Sequence, residues 1–415
     1  MHRFSVAILT GLAFSALAQE TERRPRLALV PFAFLSGDVS ARASAKAVGM
    51  LSQEFKSAEK FELIETRKRD AEPSSEALAE ARKLVDEAKE QRARKKFRLA
   101  SESLTKALAS YQKQAASVTD IGEVVDTYAL LSAVQFNTGR DDEGQRSLVT
   151  ALALAPEREL PLAATSPLFA RLVGDTRKGL KESAKGQVVV ESTPTNAAVT
   201  LDGLSLGSTP FTVREVPPGL HYWRAALPNG EVQGGVVDVV GGKQVVVKAV
   251  SVSKDPESRL LAAVAQNKID ADAVAAAKEF ATSTQAELLV FGGLAMKAGK
   301  GLTLDSFVYS SASNEVRRLS RTAFDAELLN AGMEFYNLAG EVAKKGSQTG
   351  DLVKIPSSVS FELVGQASKM GEAKYGVVPG KVAATEALET VDSKEPGKED
   401  GPRKPLGPRA PLKKK

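Results

Sequence analysis

The chain has no cysteine, only two histidines and one tryptophan. The missing thiols exclude disulfides, thiolate nucleophiles and a lipid-modified cysteine, together with any zinc site built on several Cys or His ligands. His2 falls in an apolar leader, so His221 is the single imidazole of the remaining chain. A Ser–His–Asp triad would have to recruit it. Beyond the leader no stretch stays apolar for eighteen residues, which excludes a conventional membrane-spanning helix from the sequence. Charge is also short of an extreme: the net value of +5 is small for 415 residues and does not argue for nucleic acid.

What is present begins with an export signal over residues 1–18. Arg3 supplies the positive end, "FSVAILTGLAFSALA" the short apolar run, and Ala16-Leu17-Ala18 the small residues read at cleavage. The expected location is therefore periplasmic or secreted, after cleavage near Ala18. The absence of cysteine is compatible with an oxidising compartment.

Periodicity divides the rest. "LALVPFAF" (27–34) reads as a buried strand, Ala41, Ala45, Val48, Leu51, Phe55 and Ala58 as one helix stripe, and "FELIE" (61–65) as a second strand. Two strands and one helix cannot bury themselves. From Ser75 to Ala184 the chain is helical and carries an echo, "SLTKAL" (103–108) and "SLVTAL" (147–152). At Gly186 the period becomes two. Six strand-like runs follow to residue 250, punctuated by Thr-Pro, Asp-Gly, Pro-Pro-Gly, Asn-Gly and Gly-Gly corners, as in a small antiparallel sandwich. Residues 258–283 are helical, 286–295 a buried strand, 301–324 a hairpin and 328–342 an amphipathic helix. From 347 the periodicity fades, and the Pro- and Lys-rich end reads as a disordered tail. The fold class is multidomain α+β: 19–72 and 256–346 as halves of one α/β domain, 73–185 helical, 186–252 a β module, and 347–415 mostly tail.

Three resemblances accompany this reading. Tyr128, Leu131, Gly139 and Pro156 stand at tetratricopeptide spacing, so 125–156, and more weakly 81–111, resemble such a repeat, with a capping helix over 166–184. "VVVESTP", "AAVTLDG", "GSTP" and "VPPGLHYW" resemble the PEGA domain, a small β module of bacterial envelope and surface proteins. The resemblance departs from that family in having Pro-Gly-Leu where the name quotes Pro-Glu-Gly-Ala. The two α/β pieces resemble the amino-terminal domain of TolB and the fold of the curli secretion protein, through "LALVPF" and "LLVFGGLA".

Motifs for chemistry are sparse. "SLTK" (103–106) matches Ser-x-x-Lys but lies on a repeat helix without its partner motifs. "GGLAMKAGKG" (292–301) lacks phosphate-loop spacing and precedes a strand. No catalytic, cofactor or metal residue is assigned. Candidate interaction residues are Arg92, Arg94 and Lys95 in "QRARKKFR", Tyr222 and Arg224 on the outward face of the strand after Gly219, and Lys413, Lys414 and Lys415. On that strand His221 and Trp223 are expected to face the core. The reading is a non-enzymatic envelope scaffold with protein partners, without nucleic acid, cofactor or membrane span. The basic tail could contact peptidoglycan, anionic lipid or lipopolysaccharide. A wall-polymer-binding protein and a carboxylate-dependent glycan hydrolase are the alternatives.

Overall fold

A computed structural model describes residues 23–36, 41–64, 75–297, 301–364 and 370–377. Residues 1–18, expected to be an export signal, and Lys413, Lys414 and Lys415 lie outside them. The first segment forms β1 (Arg26–Leu29), β2 (Ala33–Phe34), α1 (Ala41–Ser57) and β3 (Glu62–Ile64). The helical segment comprises α2 (Ala79–Ala93), α3 (Phe97–Lys113), α4 (Ile121–Phe136), α5 (Asp141–Leu154), the short α6 (Pro161–Thr165) and α7 (Pro167–Glu182). The β module follows with β4 (Gly186–Thr193), β5 (Ala198–Leu201), β6 (Leu204–Ser208), β7 (Phe211–Val216), β8 (Gly219–Ala226), β9 (Val232–Val239) and β10 (Gln244–Val250). The chain returns through α8 (Pro256–Ala265), α9 (Ala271–Thr284), β11 (Leu288–Lys297), β12 (Gly301–Ser310), β13 (Glu315–Arg318), β14 (Thr322–Phe324) and α10 (Ala331–Lys345). It ends in β15 (Asp351–Leu352) and β16 (Gly371–Lys374).

The two α/β pieces share one sheet. β1 runs parallel to β11 with Leu27 opposite Leu288, and parallel to β3 with Leu27 opposite Leu63. The path is β15-β13-β12-β11-β1-β3, and β12 continues antiparallel from β11. Alternation along β1 sets two cores. Leu27 and Leu29 pack with α1 and α10, around Phe55 and Phe335. Ala28 and Val30 face the other way, onto α8 and α9 with Leu260 and Phe280. A strand buried on both faces needs cover on each; α1 follows directly in sequence, but α8, α9 and α10 come from more than two hundred residues away.

The helices stack in sequence, α2 on α3, α3 on α4, α4 on α5 and α5 on α7. Asp120 caps α4 by accepting from the Gly122 N–H at 2.8 Å, and Ser166 caps α7 ahead of Pro167. Gly139 turns the chain between α4 and α5 at φ 70°. Gly144 lies against the Phe136 ring, and Ser132 donates to its carbonyl at 2.8 Å, so these helices approach closely.

The β module has two four-stranded sheets, β10-β4-β7-β16 and β6-β5-β8-β9. Val188, Val190, Phe211 and Val213 from one meet Val199, Leu201, Val237 and Val239 from the other in a shared core. Two features depart from the sequence reading. Seven strands, not six, lie between 186 and 250: after β5 a separate short strand β6 pairs back across the Asp202-Gly203 turn. Residues 351–377, read as the start of a tail, instead supply β15 to the α/β sheet and β16 to the β module. A two-residue and a four-residue strand carry too little alternation to register as periodicity.

Because the sheet is shared, loosening either half should loosen both. Phe335→Ala empties a fully buried site on α10 and is expected to cost about 3–5 kcal/mol. Hydrogen exchange should then rise at Arg26–Leu29 as well as around α10; exchange confined to α10 would show that the halves open independently.

Candidate functional site

A well-formed concavity lies in the helical segment. Residues of α2, α3, α4 and α6 enclose about 530 Å³. Val85, Ala129 and Leu130 make its apolar wall, Pro161 and Leu162 its lip, and Asp86, Lys89 and Asp126 its polar rim. At its floor the Arg82 guanidinium donates twice to Glu123, Nε to Oε2 and Nη2 to Oε1, both at 2.9 Å. The Tyr111 hydroxyl donates to Glu123 Oε2 at 3.1 Å.

These contacts set the electrostatics. The Arg82 hydrogen bonds hold Glu123 below the usual carboxylate range, against the opposing effect of burial and with help from Tyr111. Glu123 also sits in the first turn of α4, where the helix dipole favours a negative charge. Burial, followed by the adjacent Glu123 charge, pushes the Tyr111 phenol well up, so it remains a donor. Arg158 makes a similar fork to Asp126, at 3.2 and 2.9 Å. The cleft therefore presents an apolar wall above a floor of compensated charges.

The residues expected from sequence lie elsewhere. Arg92, Arg94 and Lys95 sit at the turn from α2 to α3, outside the cleft; Arg94 pairs with Glu90 at 3.6 Å on the solvent side. The cleft residues were missed because their signal is tertiary: Arg82, Tyr111 and Glu123 are unremarkable helix residues until three helices stack.

A second polar cluster joins three parts of the chain. His221 Nδ1 meets Asp202 Oδ2 at 2.6 Å, and Nε2 meets the Pro217 carbonyl at 2.8 Å. The other Asp202 oxygen accepts the Tyr222 N–H at 2.8 Å. The Tyr375 hydroxyl lies 2.7 Å from Asp202 Oδ2 and 3.1 and 3.0 Å from the Ala153 and Leu154 carbonyls at the end of α5. Its ring meets the His221 ring edge-on at 5.6 Å between centroids. His221 and Asp202 are fully buried side chains. Burial opposes a charge on His221, but the Asp202 carboxylate, then the Pro217 carbonyl, outweigh it, and the imidazole is raised above its ordinary value. With acceptors on both ring nitrogens, the imidazolium is the form that satisfies both.

Residues 185–247 match the PEGA domain. Comparisons with curated proteins and with solved structures gave no match. The PEGA match spans β4 to the middle of β10 and leaves β16 outside it.

The PEGA module corrects the reading of its own central strand. Tyr222 and Arg224 do not form an exposed patch. Tyr222 is 4% exposed and belongs to the apolar core of the helical segment, while Trp223 on the opposite face is only half-buried. Arg224 Nε donates to the Ala116 carbonyl at 3.2 Å. Gly234 on β9 lies so near Ala116 that a Cβ there would come within 2.7 Å of its Cα. Alternation alone assigns one face inward and one outward, but here a neighbouring segment covers the second face. His221 is buried as expected. No helix of the described residues is long and apolar enough to cross a membrane.

Two predictions follow from this junction. Among the described residues the buried Tyr222 hydroxyl has no hydrogen-bond partner. Tyr222→Phe should therefore leave thermal stability unchanged or higher, whereas Tyr222→Ala should cost about 3–5 kcal/mol. For His221 the folded-state pKa is raised, so its stabilisation is complete below the unfolded value of about 6.5 and is lost as pH rises through the folded value. Asp202→Asn should cost about 3–5 kcal/mol near neutrality and flatten that pH dependence in urea melts; an unchanged slope would show that His221 does not carry it.

Proposed function

We propose that this chain is an exported, non-enzymatic scaffold of the bacterial envelope, whose helical segment receives an extended portion of a protein partner. The observation that carries this reading is the cleft between α2, α4 and α6. Its volume of about 530 Å³ falls within the range of ligand sites, and its Val85, Leu130 and Leu162 surface suits apolar side chains. The tetratricopeptide-like spacing supports the same use, because such helix pairs offer a concave face to peptides. The PEGA module, in this reading a small β-sandwich, and the TolB-like α/β domain act as a rigid platform that holds the cleft.

The state of the cleft's carboxylates supports binding over hydrolysis. A glycosidase acid must keep its proton near neutrality, which requires a raised pKa. Glu123 is shifted the other way and is saturated by Arg82 and Tyr111. Asp126 is held by Arg158. These groups serve as a fixed polar floor against which a peptide backbone or side chain can register. Of the candidate interaction residues, Tyr222 and Arg224 are occupied within the fold.

A photo-crosslinking residue at Leu162, on the lip, should capture a discrete envelope protein in cells. The same residue at exposed Arg171 on α7 should not. Leu130→Asp, which puts a charge in the cleft wall, is expected to reduce the Leu162 conjugate about ten-fold or more. Equal capture from both positions, or capture indifferent to Leu130→Asp, would remove the cleft from the proposal.

A further inference from the structure

The PEGA module carries one strand that its family match does not include. β16 lies more than one hundred and twenty residues beyond the matched segment and runs parallel to β7, Gly371 opposite Phe211 and Lys374 opposite Arg214. The apolar core of the module is built from β4, β5, β6, β7 and β9; Ala373 and Tyr375 only pack at its margin. Without β16, the β7 edge would present unpaired backbone groups.

The seat of this strand is specific at each of five positions. Gly371 stands where a Cβ would come within 2.5 Å of the Phe211 ring, and its N–H donates to the Pro210 carbonyl at 2.9 Å. Glu372 pairs with Arg214, and Lys374 with Glu215 at 2.6 Å, both on the solvent side. Ala373 is small and faces the core. Tyr375 donates its N–H to the Arg214 carbonyl at 2.8 Å and places its hydroxyl among Asp202, Ala153 and Leu154. Backbone pairing along a sheet edge with alternate side chains in defined sites is the physics of strand addition.

The preceding chain is anchored independently. The Arg318 guanidinium lies between the Phe307 and Phe361 rings, 4.6 and 4.4 Å from their centroids, and donates to the Ser358 and Val359 carbonyls. Release of β16 thus leaves that anchor intact. Residues 362–370 separate it from the strand, nine positions that can span roughly 30–32 Å when extended.

We propose that the β7 edge and its tyrosine socket form a strand-acceptor site, and that its exchangeable occupant is the Gly371–Tyr375 segment of a second copy of this chain. The second copy is the occupant because every contact made within one chain is available unchanged between two. Within one molecule the tether gives the segment a high effective concentration, so exchange is favoured where copies are crowded.

The test uses full-length chains, whose lack of native cysteine makes single thiols unambiguous. Arg214→Cys and Glu372→Cys replace two exposed ion-pair partners. One preparation carries each, and a short bis-maleimide is added to the mixture. Exchange predicts an Arg214→Cys/Glu372→Cys hybrid conjugate whose yield rises with protein concentration. It should fall about ten-fold or more when the Glu372→Cys chain also carries Tyr375→Ala. The double variant on one chain must conjugate within itself at high dilution, which establishes that the two thiols are in reach. Given that control, no hybrid conjugate, or a hybrid yield indifferent to Tyr375→Ala, overturns the proposal and leaves β16 as a fixed part of each molecule.

Discussion

The parallel pairing of Leu27–Leu29 with Leu288–Val290 is the constraint on which the architecture rests. A parallel neighbour cannot be reached by a tight turn, so the chain must leave the sheet and return. Here the excursion includes the whole helical segment and the whole PEGA module. Taken together they are consequently tied to the α/β domain at two ends, through the chain after Ile64 and the chain before Pro256. A module tethered twice has far fewer orientations than one at the end of a linker.

Specific contacts reduce that freedom further. Tyr222 completes the core of the helices, Gly234 lets β9 approach Ala116, and Asn196 of the PEGA module donates to the Phe34 carbonyl of the α/β domain at 3.4 Å. The chain after α10 then binds the α/β sheet through Arg318 and the PEGA sheet through β16. The Asp202–His221–Tyr375 cluster stands where the PEGA module, the end of α5 and this last segment meet. Partial satisfaction would make such a buried polar cluster costly; here each ring nitrogen and each carboxylate oxygen has a partner.

The functional reading follows from where polar groups are consumed and where they are left usable. Tyr222 and Arg224 have alternation and turn chemistry that point outward, yet a neighbouring core occupies them. Arg82, Tyr111 and Glu123 have no distinguishing spacing, yet they form the floor of the candidate cleft. A fork from guanidinium to carboxylate with a phenol beside it is a pre-organised surface: it loses little entropy on binding and holds its charges in place. The candidate cleft thus depends on helix stacking and hardly at all on local motif.

By itself, the sequence determined the elements whose physics is local. Apolar runs at 27–34 and 286–295, helix stripes through α1 and α10, and the Pro and Gly corners of residues 186–252 all depend on neighbours within a few positions. The PEGA segment was legible for that reason, since its turns require Gly or Pro at defined places. Only the tertiary structure decided that β1 lies between β3 and β11, that the outer face of β8 is buried, and that Gly371–Tyr375 completes a sheet. Each of these joins residues separated by tens to hundreds of positions. Side-chain periodicity reports whether a face is apolar, and it carries no information about which distant surface covers it.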